Sequence, residues 1–378
     1  MNSKFPEMGL TIFSAMSALA SEHGAINLAQ GFPEFDCSNQ IKKLVNEAMN
    51  SGANQYAPMP GLKALRNAIA DKVKFCYDVD YCPETEITVT AGATQGIFTS
   101  IAALVNTGDE VIYFEPAYDC YSPAIRLFGG IPVPVSMDFP DYTYNWEAVR
   151  NSITLKTRLI IINSPNNPCG KTISQSDINQ LAQIVKEFSL FVISDEVYEH
   201  IVFDGLKHLS IGTHPELKSK TITVSSFGKT YHNTGWKLGY VLGPADIITE
   251  FRKVHQYLVF SVHHPSQKAF AELLSYRDFY VSLSPFYEQK RNFFLSAIAG
   301  SSWKALKTEG TYFQLLIIPE EIQGTDVEIA NWMTTKFKLA SIPVSAFYSD
   351  ATDNRVLRFC FAKNEETLIK AAEILHKI

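Results

Sequence analysis

Two uninterrupted apolar runs do most to limit the fold. Arg158–Asn163 (RLIIIN) and Leu190–Ser194 (LFVIS) show no polar alternation. Each therefore reads as a strand buried on both faces, as in a parallel sheet covered by helices. Between them Ser174 can cap a helix, with Asp177 in the reciprocal position where Glu or Gln is more usual. Ile178, Leu181, Ala182, Val185 and Phe188 then share one apolar face. The alternation extends over residues 86–245. Ile87–Thr90 reads as a strand, Ala91–Gly96 as a small-residue turn and Ile97–Val105 as a helix. Glu110–Phe114 and Thr221–Ser225 are further strands. Strands alternating with helices predict an α/β domain with a mostly parallel sheet and helices on both faces.

The flanks read differently. Residues 38–50 and 61–76 form helices separated by the Pro- and Gly-containing loop Tyr56–Gly61. Longer helices fill 246–295, broken at His263-His264-Pro265. Then come a strand at Tyr312–Ile318, a helix near 326–339, a strand at Val356–Phe361 and a terminal helix from Glu365. The expected organisation is an N-terminal arm with part of a small domain (1–45), a large domain (46–275) and a small α+β C-terminal domain (276–378), the small domain drawing on both chain ends.

Composition excludes several classes. With 33 basic and 39 acidic residues among 378, the net charge of −6 offers no basic field for nucleic acid. At 46% apolar and 19% charged residues the chain is too apolar for intrinsic disorder. Its apolar runs are far shorter than the roughly 20 residues of a bilayer span. The opening MNSKFPEMGL has no signal-peptide pattern. The six cysteines suggest neither a metal site nor a disulfide framework, and read as reduced thiols of a cytoplasmic protein. A Cys76–Cys82 bridge would need an oxidising compartment.

Ligands of open parallel sheets bind beyond the carboxyl ends of the strands. Four such ends carry chemistry. Ala91-Gly92-Ala93-Thr94-Gln95-Gly96 is a candidate anion cradle, or simply a tight turn. Ser164-Pro165-Asn166-Asn167-Pro168 presents Asn167 rigidly, although Asn is also a common turn residue. Asp195 is either a buried carboxylate awaiting a cation or a helix N-cap. Lys229, in Gly228-Lys229-Thr230, is either a Schiff-base nucleophile or a solvated lysine. An anion cradle, a rigid amide, a buried carboxylate and a lysine together suit one cofactor, pyridoxal phosphate, whose ring needs a protonated nitrogen and whose aldehyde needs an amine. Ser226–Lys229 also fits the S-x-x-K of serine acyl-enzymes, but no K-T-G or S-D-N partner exists in the chain.

The sequence resembles the fold-type I pyridoxal-phosphate enzymes of the class I/II aminotransferases, in the kynurenine/glutamine/methionine branch. The resemblance runs over nearly the whole chain. Its carriers are Asn27–Pro33, Gln55-Tyr56, Thr90–Thr94, Ser164–Pro168, Ser194–Tyr198, Ser226–Thr230, Gly235–Gly239 and Arg358–Phe361. It implies that Lys229 forms the internal aldimine and shuttles the proton, that Asp195 pairs with the pyridinium nitrogen and that Asn167 and Tyr198 bond the phenolic oxygen. Tyr118 would stack on the ring, while Ala93, Thr94, Ser226 and Lys237 would hold the phosphate. Tyr56 would reach the neighbouring subunit's phosphate, which implies a homodimer. Arg358, preferred over Arg355 for its R-F-x-F context, would clamp the substrate carboxylate, with the Gly31 backbone alongside. Lys237 stands where many members have arginine, and Val262, before His263, where the mammalian-type kynurenine enzymes carry an aromatic. His263 is either a pocket residue from the second subunit or a surface or cap residue.

The implied activity is ping-pong transamination of a neutral amino acid, methionine first, then glutamine, aromatic amino acids and kynurenine. The alternatives are a C–S β-lyase acting on cysteine conjugates and a non-catalytic binding or regulatory protein of the same fold. No metal is expected.

Overall fold

The computed structural model describes Phe5 and residues 9–378. Residues 1–4 and 6–8, which open the expected N-terminal arm, lie outside the described residues. In chain order the strands are β1 (Ile26–Asn27), β2 (Ile87–Thr90), β3 (Glu110–Glu115), β4 (Ile131–Ser136), β5 (Thr157–Asn163), β6 (Phe191–Asp195), β7 (Thr221–Ser226) and β8 (Gly239–Leu242). They continue as β9 (Lys304–Ala305), β10 (Phe313–Ile317), β11 (Leu339–Ala340), β12 (Ile342–Pro343) and β13 (Val356–Cys360).

The main sheet has seven strands in the order β2-β8-β7-β6-β5-β3-β4. All run the same way except β8, which is antiparallel to β2 and β7. The cause lies in the connection. Parallel neighbours need a long crossover. The chain instead turns back beyond the end of β7, pairing Ser226 with Gly239. Lys229 sits in that return, at the carboxyl edge of the sheet. The central runs are as buried as their sequences require: Leu159–Asn163 and Val192–Asp195 are buried throughout. The helix between them, Gln175–Phe188, begins with the full Ser174–Asp177 capping box.

Sequence patterning misses two strands of this sheet. β4 (IPVPVS) contains two prolines, yet it is an edge strand paired only with β3. The Ile131 N–H donates to the Asp109 carbonyl, so Pro132 and Pro134 turn their missing donors to the open edge. β8 is short and follows a Gly- and Trp-containing turn. The helix expected from Ile97 instead starts at Ala93 and runs to Leu104. Gly92, at φ 79°, makes the turn alone, and the Gln95 side chain accepts the Ala91 N–H at 2.8 Å. The expected helix near 326–339 divides into an α segment, Asp326–Trp332, and a π turn, Met333–Phe337.

A second, antiparallel sheet has the order β12-β13-β10-β9. β1 pairs in parallel with β11, Ile26 opposite Leu339. The N-terminal segment is thereby fastened to the C-terminal unit. Leu28, Tyr287, Phe294, Phe313, Phe359 and Leu368 belong to the core beneath it.

Candidate active site

The carboxyl ends of β2, β5, β6 and β7 open into one cavity. Its walls include Gly92, Ala93, Thr94, Tyr118, Asn163, Asn167, Asp195, Tyr198, Ser226, Lys229 and Lys237. Residues up to 145 positions apart in sequence are brought together because neighbouring strands end at one edge.

The anion cradle is built by close backbone approach. A Cβ on Gly239 would lie 2.6 Å from the Ser225 carbonyl oxygen and 3.1 Å from the Ala93 nitrogen, so only glycine lets β8 pass the helix start. A Cβ on Gly92, already at φ 79°, would meet the Lys237 Cε and Nζ at 3.4 Å. The positive end of the Ala93–Leu104 helix and the Lys237 ammonium thus face the same corner, a setting for a phosphate. The Thr94 hydroxyl lies 3.5 Å from that of Tyr118.

Asp195 ends β6 and is 3% exposed. No helix follows it, so the N-cap reading is not realised. Burial pushes its carboxyl up to about 6, opposed by the hydrogen bond that Tyr121 donates to Oδ2 at 2.7 Å. The other oxygen accepts only a long 3.4 Å contact from the Val197 N–H. A buried carboxylate held on one side calls for a cation on the other.

Asn167 and Arg358 are joined. Arg358 Nη1 donates to Asn167 Oδ1 at 2.7 Å, and Nη2 to the Ala29 carbonyl at 2.8 Å. The Asn167 N–H donates to Asn163 Oδ1, and Asn163 Nδ2 to the Asp195 carbonyl, at 2.8 and 2.9 Å. This chain ties the guanidinium to the strand end that carries Asp195. Arg358 is fully buried among the rings of Phe13, Phe313 and Phe347, with Nε unpartnered and no ion pair among the described residues. Burial lowers its pKa to about 10. Arg355 is spent on the carbonyls of Pro319, Ile322 and Gly324.

Lys229 follows β7 in the short helix Phe227–Thr230. Burial lowers its amine to about 8, with the Arg358 and Lys237 charges pushing the same way and Cys360 and Asp195 opposing. Nζ donates to the Tyr312 hydroxyl at 2.8 Å and to the Gly31 carbonyl at 3.1 Å. The Gly31 carbonyl, expected to lie by the substrate carboxylate, meets Lys229, and Ala29 supplies the carbonyl at Arg358. Tyr198 is buried with its ring edge-on to Tyr312, centroids 5.2 Å apart.

Tyr56 stands apart. It is 79% exposed, packs on Phe260 and lines a surface cleft with Val262, His263 and His264. His263 Nδ1 lies 2.8 Å from the Ser266 hydroxyl. Sequence reading missed Asn163, Tyr121 and Tyr312. The first ends a strand and the second stands three residues after Tyr118, weak signals at best.

Comparison with known proteins agrees with this geometry. Residues 23–375 match the family model of aminotransferase class I and II. The chain is 46% identical over 377 residues to the methionine aminotransferase of Escherichia coli (strain K12), covering 100% of this chain and 98% of that one. It is 34% identical to a kynurenine–oxoglutarate transaminase of Dictyostelium discoideum, over 98% and 94% of the two chains. The crystal structure of YbdL from Escherichia coli, described as a methionine aminotransferase, superposes with a TM-score of 0.98 at 46% identity, covering 100% and 99%. A family model matched over nearly the whole chain, and a relative 46% identical along its full length, settle the assignment: the chain belongs to the class I and II aminotransferases.

Proposed function

We propose that this aminotransferase uses pyridoxal phosphate and takes its amino group from a neutral amino acid, methionine foremost. The observation that carries the reading is the convergence of Asp195, Lys229, Lys237 and Asn167 on one cavity, with the buried Arg358 guanidinium bonded to Asn167. The cofactor fits the residues present. Ala93, Thr94, Ser226 and Lys237 would hold its phosphate. Asp195 would keep its ring nitrogen protonated, Asn167 and Tyr198 would bond its phenolic oxygen, and Tyr118 would cover its face. When bound, pyridoxal phosphate supplies an electron sink that acidifies the substrate Cα–H.

The chain's own groups do the rest. Arg358 takes the α-carboxylate, an anion for a buried guanidinium that has no ion pair within the described chain. Lys229 would hold the cofactor and, with its amine free, would take the substrate Cα proton. Its lowered pKa keeps a useful fraction of neutral amine near pH 7 to 8. Among the described residues no arginine lines this cavity, and Arg358 adjoins it only through its bond to Asn167, which favours donors with uncharged side chains. The names of the relatives support methionine, with kynurenine and aromatic amino acids as further donors, and glutamine follows from the sequence resemblance alone. Exposed Tyr56 beside His263 supports a homodimer in which Tyr56 serves the neighbouring site. The parallel β1–β11 pair supports a small domain drawn from both ends, with bounds at 1–45, 46–275 and 276–378. No described helix is long and apolar enough to cross a membrane. The unpaired spacing of the cysteines supports the cytoplasm.

Steady-state kinetics test the reading. Parallel double-reciprocal lines for methionine and a 2-oxo acid are expected, with kcat/KM for methionine above that for aspartate. Intersecting lines would overturn the two-stage mechanism, and a preference for aspartate would overturn the donor class.

A further inference from the structure

The amine of Lys229 is held by a partner that the family motifs do not single out. Nζ donates to Tyr312 Oη at 2.8 Å and to the Gly31 carbonyl at 3.1 Å, and Tyr312 Oη donates to that same carbonyl at 2.6 Å. Because Tyr312 spends its only proton on Gly31, its oxygen can meet Lys229 only as an acceptor. Tyr312 is fully buried, so no water competes for that place. Neither acceptor belongs to the sheet that carries Lys229. Gly31 lies in the N-terminal segment, and Tyr312 immediately precedes β10. The lysine is thus gripped across the cleft by the part of the molecule that also supplies Arg358.

We propose that Tyr312 is a positioning residue for Lys229: its hydroxyl, oriented by the Gly31 carbonyl, receives the lysine amine whenever that amine is not covalently engaged and stabilises it as an ammonium after it has taken up a proton. The proposal rests on the reading of Lys229 given above. A fixed acceptor favours the charged form of an amine, whereas burial disfavours it. The other groups facing the amine are Arg358 and Cys360 on β13, Lys237 on the return from β7, and Asp195 on β6. Its cation also lies 5.4 Å from the ring centroid of Tyr198. Among these Tyr312 alone donates to Gly31 while accepting from Lys229.

A built-in control stands beside it. Tyr287 is equally buried, its ring centroid lies 5.6 Å from that of Tyr312, and its hydroxyl has no partner among the described residues. Tyr287→Phe removes a neighbouring buried hydroxyl without touching Lys229. Tyr312→Phe keeps the ring that packs on Tyr198 and Tyr287.

The test labels the cofactor-free protein with trace acetic anhydride across a pH series. The free amine displaces acetate from the anhydride and releases one proton, so the yield on the Lys229 peptide, read by mass spectrometry, gives the pKa of that amine. In Tyr312→Phe the midpoint should fall by about one unit, with roughly tenfold more labelling below it. In Tyr287→Phe it should not move. In the holoenzyme Tyr312→Phe should lower kcat for the methionine half-reaction and leave KM nearly unchanged. An unmoved midpoint in Tyr312→Phe, or equal shifts in both variants, would overturn the assignment. A wild-type protein that fails to transaminate would overturn the proposed function and leave the labelling result standing.

Discussion

The Nη1 of Arg358 lies 2.7 Å from the Oδ1 of Asn167, joining residues 191 positions apart, one on β13 and one in the loop that follows β5. This bond fixes the carboxylate clamp relative to the strand ends. Arg358→Gln should lower kcat/KM for methionine by roughly 10- to 150-fold, the cost of about 1.5–3 kcal/mol for a charged hydrogen bond, and chiefly through KM. Arg358→Lys should not restore it, because an ammonium cannot hold Asn167, Ala29 and a carboxylate in one plane. Substrate titration of the three proteins checks this.

Asp195 predicts an opposition between stability and function. Its folded pKa of about 6 exceeds the ordinary 3.8, so the folded protein binds the proton more tightly than the unfolded chain. The carboxylate therefore destabilises the cofactor-free protein in full above pH 6. That cost fades as pH falls from about 6 towards 4. Asp195→Asn should stabilise the cofactor-free protein at pH 8 by up to about 3 kcal/mol, two units at 1.36 kcal/mol each, and by little at pH 4. The same variant should slow the methionine half-reaction by more than about 100-fold. Urea unfolding at both pH values checks the sign.

Gly239→Ala should destabilise the protein by about 1–3 kcal/mol, because the new methyl meets backbone atoms that cannot rotate away. It should also weaken phosphate binding by displacing the Ala93 N–H. Thermal melts with and without pyridoxal phosphate separate the two effects, the second appearing as a smaller cofactor-induced rise in Tm.

Much of this site is legible in the sequence, for a physical reason. Strands buried on both faces write themselves as apolar runs, and their carboxyl ends must lie together, so Asn167, Asp195 and Lys229 can be placed at one edge before any coordinates. The unread parts depend on long-range partners. Tyr121 matters only because it meets Asp195, and Tyr312 only because Gly31 and Lys229 converge on it. Edge strand β4 hides behind prolines that only an unpaired edge tolerates. The helix start at Ala93 is obscured because Gly92 alone completes a turn that six consecutive small or polar residues spread out in the sequence.

Tyr56 gives a test of shared sites. Tyr56→Ala and Lys229→Ala should each be nearly inactive alone. Mixed dimers would hold one site with both residues intact, so random reassortment should recover about a quarter of wild-type activity. No recovery on mixing would show that each site draws Tyr56 from its own chain.

The mechanism turns on Lys229 removing the substrate Cα proton and holding the cofactor. The most direct measurement is the visible absorption of the holoenzyme after adding methionine with no 2-oxo acid. The wild type should lose its yellow band and release one 2-oxo acid per subunit, while Lys229→Ala, loaded with the same cofactor, should do neither at a comparable rate. An unchanged wild-type band with every neutral amino acid, or equal bleaching in Lys229→Ala, would contradict the account.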